Sequence, residues 1–171
     1  TVNVVISQLA NKDVFQSEAV TAAVKDATLG AETLTIQIGT GTAVDFDTTG
    51  KTYQELADEI NLGTGLNASV EQVGTDSYRL VIKSSDSGTA NALTITGTAS
   101  QTLGYTEELD PIGAPGVLTE KAANHTLTAQ NMQGTVDNVA YDISSNSITI
   151  QGNLTMTALE LGNSSISIQR D

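Results

Sequence analysis

Apolar residues recur at every second position along most of this chain: Leu34, Ile36 and Ile38, then Tyr78, Leu80 and Ile82, then Leu93 and Ile95. Successive side chains of a strand point to opposite faces, so each run reads as a half-buried β-strand. Only 4% of residues are aromatic, so the core has to be assembled mainly from Val, Ile, Leu and Ala, a supply that favours strands. Gly74, Thr75 and Asp76 separate a run over 68–73 from one over 78–82, which predicts an antiparallel hairpin. The clearest helix begins at Thr52, where Thr52 and Glu55 have the spacing of a capping box. Tyr53, Leu56, Ala57 and Ile60 follow at helical period, and Gly63 or Gly65 is the expected stop. A second helix is expected over 17–27, with Ala19, Val20, Ala23 and Val24 as its apolar face.

These elements sort into two lobes. Residues 29–97 read as two strands, the capped helix, a hairpin and a further strand. Both prolines, Pro111 and Pro115, fall with Gly113 and Gly116 in one short segment, which marks a boundary. Beyond it, short alternating runs at 126–129, 139–143, 147–150, 154–158 and 165–168 predict an all-β unit arranged as a meander, with turns at 144–146 and at Gly152 and Asn153. The first run, in which Val2, Val4 and Ile6 alternate with Asn3, Val5 and Ser7, has no neighbour to pair with, and the last run is strand-like too. Both ends are therefore expected in one sheet. The fold class is α+β and predominantly β: a discontinuous antiparallel β lobe (1–28 and 117–171), a smaller inserted α+β lobe (29–110), and a Pro/Gly linker (111–116). With both ends emerging together, the chain reads as a piece of a longer protein.

Composition removes several functions. Without cysteine there can be no disulfide, thiolate metal site or thiol nucleophile. A net charge of -13 repels phosphate backbones and anionic lipid, so nucleic acid is not an expected partner. Apolar runs such as 4–6 are far below the roughly 18 to 20 residues of a spanning helix, so no membrane insertion is expected. The first ten residues lack the basic start and apolar core of a signal peptide.

The chemical motifs are each incomplete. Asp45, Asp47, Thr49 and Gly50 imitate the start of a calcium loop, but its twelfth position is Leu56 where a bidentate glutamate is required; Glu55 misses by one residue. Gly39, Gly41 and Val44 lead into a strand, whereas a dinucleotide fingerprint needs a helix N-terminus. Gly63, Gly65 and Ala68 follow a helix instead of preceding one. His125 is the only histidine; no GxSxG elbow accompanies it, and it is read as an ordinary exposed or loop residue. Glu107, Glu108, Asp110 and Glu120 read as a solvated acidic stretch. Asn67, Asn124, Asn153 and Asn163 begin glycosylation sequons, which arise easily in a Thr- and Ser-rich chain. No catalytic, cofactor-binding or metal-ligating residue is assigned, and no cofactor is expected.

Three segments, in order, carry a resemblance. Residues 52–96, TYQELADEINLGTGLNASVEQVGTDSYRLVIKSSDSGTANALTIT, resemble the flagellin-IN motif of flagellar hook-associated proteins, with Leu103, Gly104 and Tyr105 following as is typical. VNVVISQLANKDVFQS at 2–17 looks like the opening of the outer region of the filament cap family, hook-associated protein 2. GTVDNVAYDISSNSITI at 134–150 is similar to that family's hairpin and Ser-Asn turn. The resemblance implies an outer head fragment of a structural protein of the bacterial flagellum, not an enzyme. Such a protein is exported through the flagellar channel to the distal filament tip, extracellular, where it forms a ring-like cap oligomer through terminal segments absent here. The cap promotes polymerisation of flagellin, and its head can contact host surfaces or mucin. The alternatives are the variable outer domain of a flagellin or hook-junction protein, and an adhesive or carbohydrate-binding module. The last would need an exposed aromatic platform drawn from Tyr53, Tyr78, Tyr105, Tyr141, Phe15 and Phe46.

Overall fold

The computed structural model describes residues 1–171 apart from Pro111, Gln151, Gly152, Ile168, Arg170 and Asp171. In chain order the elements are β1 (Val2–Gln8), β2 (Val14–Gln16), α1 (Ala22–Lys25), β3 (Thr33–Ile38), β4 (Val44–Asp47), α2 (Tyr53–Ile60), β5 (Leu66–Gly74) and β6 (Ser77–Ser84). Then come β7 (Leu93–Thr96), α3 (Thr98–Leu103), β8 (Thr106–Asp110), β9 (Ala114–Glu120), β10 (His125–Leu127), β11 (Met132–Val136), β12 (Val139–Ile143), β13 (Ser147–Ile150), β14 (Leu154–Thr157) and β15 (Gly162–Ile166).

β1 is an inner strand. It pairs antiparallel with β11, Val4 opposite Val136, and on its other side with β15, Val4 opposite Ser164. The sheet order is β12-β11-β1-β15, so the expected sharing of one sheet by both ends is met. Val2, Val4 and Ile6 are buried while Asn3, Val5 and Ser7 face out, as period two requires. Ile148 and Ile150 of the β13–β14 hairpin join Val2, Val4, Ile6, Met132 and Val136 in one core. Among the described residues a meander does not form: β12 pairs only with β11, and β13 only with β14. The connection at 144–146 is drawn outward, because the Asn146 side chain brackets the backbone of Ala10, accepting its N–H at 2.7 Å and donating to its carbonyl at 3.1 Å. Gly152 of the expected next turn lies outside the described residues, as do Pro111 of the expected linker and Ile168 of the last run.

The second core contains Leu34, Leu56, Ala57, Ile60, Leu80 and Ile82, all at 0% exposure, together with Phe15, Ile36, Tyr53, Leu103 and Tyr105. Full burial of each large aliphatic side chain contributes about 1.5–3 kcal/mol. It sits between the sheets β10-β2-β6-β5 and β4-β3-β7. α2 seals it with Tyr53, Leu56, Ala57 and Ile60; the reciprocal capping box of Thr52 and Glu55 starts the helix, as its spacing predicts. The helix stops at Ile60, ahead of both glycines, because the Asn61 amide bonds both the N–H and the carbonyl of Ala68 at 2.7 Å and turns the chain into β5.

Residues 17–27 depart from the expected helix. Val20 exchanges backbone bonds with Tyr78 of β6, Ser17 N–H donates to Leu80 O while its Oγ accepts Leu80 N–H, and only Ala22–Lys25 forms a helical turn. The β-branched residues and an open length of β6 edge outcompete a short helix here. β10 pairs with β2 and β2 with β6, so residues expected in the terminal lobe pack on the inserted core, which is the larger of the two. Residues 112–116 of the segment expected as a linker instead belong to the β8–β9 hairpin, where Asp110 Oδ1 accepts the N–H groups of Ile112 and Gly113.

Two crossings connect the cores, and they run side by side: Asn11 and Gln130 exchange backbone hydrogen bonds at 2.9 and 3.2 Å. The loop before β7 docks across the same seam, with Ser87 Oγ donating to Ser144 O at 2.5 Å and Thr89 N–H to Asn131 Oδ1 at 3.0 Å. Gly88 makes this approach possible: at φ +102 a Cβ on it would lie 2.5 Å from Ser144 Cβ. Gly88→Ala is expected to pry the seam open, seen as faster limited proteolysis at residues 86–89 with both cores still folded. Leu80→Ala is expected to cost about 2–5 kcal/mol in chemical denaturation because it empties a fully buried site; an unchanged midpoint would remove Leu80 from the core.

Candidate functional site

The densest polar cluster lies just inside the larger core, where the outgoing chain enters β2 and the returning chain forms β10. Asp13 is 1% exposed and is tied from four directions. Its Oδ1 accepts from Ala129 N–H at 3.0 Å and lies 2.5 Å from His125 Nε2; its Oδ2 accepts Leu93 N–H at 2.6 Å; its own N–H donates to Ser84 Oγ at 2.9 Å. The other ring nitrogen of His125, Nδ1, lies 2.8 Å from Glu120 Oε1. Phe15 stacks on the imidazole at 4.0 Å with 9° between the planes. The pairing of β10 with β2 sets His125 opposite Phe15, so strand register builds the stack.

His125 is therefore not the loop residue that the sequence suggested: its side chain is only 15% exposed. Burial pushes its pKa down, but hydrogen bonds and charge from Asp13 and Glu120 outweigh this, and the net shift is upward. Sequence reasoning missed Asp13 altogether and named Phe15 only as a candidate platform aromatic; they lie 112 and 110 positions from His125, and the β2–β10 pairing unites them.

The grouping of two carboxylates with an imidazole invites catalytic and metal readings, and the geometry supports neither. The carboxylates address opposite nitrogens of one ring, so no single ion could bind both and the ring together. Among the described residues no set of three or more His, Asp and Glu side chains is placed to hold a metal ion. Among the described residues no serine or threonine hydroxyl bonds the imidazole; Ser84 Oγ donates to Asp86 O instead.

The other sequence candidates are dispersed. Asp47 Oδ1 accepts from the N–H and hydroxyl of Thr49, which holds its carboxyl below the usual range, and Asp45 accepts from Thr35 across β3 and β4. These are bonds of a strand end, not an open calcium loop. Gly39 and Gly41 follow β3, and Gly63 and Gly65 follow α2, so neither pair opens a helix. Of the sequon asparagines, Asn124 is 4% exposed. It donates to Gly104 O and Glu18 Oε1, beside the ion pair of Glu18 with Lys121 that lowers the Glu18 pKa. Phe15, Phe46, Tyr53 and Tyr105 are buried, Tyr141 is half-buried, and Lys25 covers half-buried Tyr78 at 4.8 Å, so the aromatic residues form no exposed platform.

Two β-rich cores joined by adjacent crossings, with a buried polar tie beside them, define a structural β-rich class of protein. Comparison with known proteins makes this particular. The chain is 31% identical over 107 residues to flagellar hook-associated protein 2 of Escherichia coli, in strain K12 and in O157:H7. That stretch is 62% of this chain and 22% of theirs, so the match spans about a fifth of these curated relatives. The D2-D3 domains of the E. coli flagellar cap protein FliD superpose with a TM-score of 0.70 at 27% identity, covering 95% of this chain and 84% of that one. The E. coli D1-D2-D3 structure gives 0.71 at 27% identity, covering 95% and 49%. The Serratia marcescens D2-D3 domains give 0.69 at 23%, covering 97% and 92%, and share the fold. No family model matches the chain. Sequence and structure thus converge on a fragment similar to the head domains of the flagellar cap protein, in agreement with the resemblance of the three segments.

Asp13→Ala is expected to destabilise the chain by about 3 kcal/mol, because it orphans two buried N–H groups and removes the partner of His125. Glu120→Ala, at a half-exposed partner, is expected to cost less than about 1 kcal/mol. Equal losses in thermal unfolding would show that Asp13 is not the centre of the cluster.

Proposed function

We propose that this chain is the head of a flagellar filament cap, a structural part of the extracellular distal tip of the bacterial flagellum that helps to promote flagellin polymerisation. The observation that carries the reading is the superposition on E. coli FliD D2-D3 domains over 95% of the chain. A non-catalytic role fits the cluster at His125, where both ring nitrogens are occupied by carboxylates. The partners of this reading are other copies of the cap protein, joined in a ring through segments outside these residues, and flagellin subunits passing beneath.

In this role the head must keep its shape outside the cell without disulfides. Two cores, a doubly paired β1 and a hydrogen-bonded seam supply that stiffness. We divide the chain for this purpose into a unit of residues 1–10 and 130–171 and an inserted unit of residues 11–129, on the basis of which core each strand packs against. The acidic surface and lack of an exposed aromatic platform give no support to a sugar-binding module.

The test is complementation of a strain lacking the full-length parent gene. Short or absent filaments with flagellin leaking into the medium, restored by the intact parent but not by a parent lacking these residues, are expected. Normal filaments in the deletion strain would overturn the cap reading.

A further inference from the structure

Both ring nitrogens of His125 face carboxylate oxygens, Nε2 at 2.5 Å from Asp13 and Nδ1 at 2.8 Å from Glu120. A carboxylate offers only acceptors, and a neutral imidazole has a single N–H to donate. A neutral ring would therefore set a lone pair against one of the two oxygens. Only the doubly protonated ring satisfies both contacts. We propose that His125 is a proton-operated latch, which as imidazolium ties Glu120, at the foot of the β8–β9 hairpin, to the buried Asp13, and on losing its proton releases Glu120 alone.

The identity of the released partner follows from burial. Asp13 is 1% exposed and cannot replace the imidazole N–H with water, whereas the Glu120 side chain is 48% exposed and can. Phe15, stacked on the ring, keeps the imidazole plane where it is when the charge is lost. Nε2 therefore retains the proton and Nδ1 becomes the bare nitrogen. No Lys or Arg forms an ion pair with Asp13 or Glu120 among the described residues. Lys83 lies across Val14 on β6 and is exposed, and Glu18, Lys121 and Arg79 meet around Asn124. Asp13 and Glu120 are thus the charges that face the ring.

The hairpin is built to respond. Among the described residues β8 and β9 pair only with each other, and an isolated two-stranded ribbon has little stability of its own. Its foot is held by the His125–Glu120 contact, by Lys121 N–H donating to Tyr105 O at 3.0 Å, and by the Ser100 and Thr106 hydroxyls at 2.7 Å. Its far end carries Leu109 at 63% and Ile112 at 94% exposure. Loosening the foot changes how that apolar end is presented. Because folding raises the His125 pKa, the stabilisation is fully present below the unfolded value of about 6.5 and is lost as pH rises through the higher folded value.

As the chain's only histidine, His125 can be followed without ambiguity by NMR of the 171-residue chain. We expect a ring titration midpoint above 6.5, an Nε2–H tautomer on the alkaline side, and amide shifts over 117–120 that track the same midpoint. Glu120→Gln should lower the midpoint by about 0.2–0.7 pH unit and abolish the hairpin response, while Glu107→Gln should leave that response intact. A midpoint at or below 6.5, an Nδ1–H tautomer, or hairpin amides indifferent to the titration would overturn the proposal.

Discussion

The double pairing of β1 is the constraint from which the rest of this structure follows. A strand of seven residues at the very start of the chain takes one neighbour from residues 132–136 and the other from residues 162–166. Everything between must leave the sheet, fold, and return to within bonding distance of its point of departure. The exchange of backbone bonds between Asn11 and Gln130 is the direct outcome. Such distant pairing closes a long loop, whose entropic cost grows only slowly with length, so an inserted unit with its own core is readily accommodated.

Return of the chain to its starting point also creates a buried charged cluster. Asp13, just before β2, and His125, on the neighbouring β10, enter the larger core side by side, and once there they have to satisfy one another, since an unpaired buried carboxylate would cost several kcal/mol. The two N–H groups that Asp13 accepts come from Leu93 and Ala129, so one side chain connects the outgoing crossing, the returning crossing and β7. This is a stiffening device, in keeping with the proposed role of a filament-cap head. It also places a titratable ring at the foot of a hairpin that, among the described residues, pairs with no other strand.

Much of the fold was legible. The alternation of Val2, Val4 and Ile6, of Leu34 and Ile36, and of Leu80 and Ile82 marked the strands, because burial on one face of a pleated sheet imposes period two locally. The capping box at Thr52 and the turn at Thr75 and Asp76 were legible for the same reason: their partners lie within a few residues. Nothing local, by contrast, announced that residues 17–20 extend along β6, or that the 144–146 connection bends away to Ala10.

By itself, then, the sequence determined the strand-rich class, the capped helix, the central hairpin, the sharing of one sheet by both ends, and the resemblance to the flagellar cap. Each depends on short-range pattern or on residue order. Only the tertiary structure decided which core owns β2 and β10, and that His125 is held between a buried and an exposed carboxylate. Those outcomes depend on strand register between segments about 110 residues apart, and register across such a separation is set by the packing of a whole core, which no local pattern encodes.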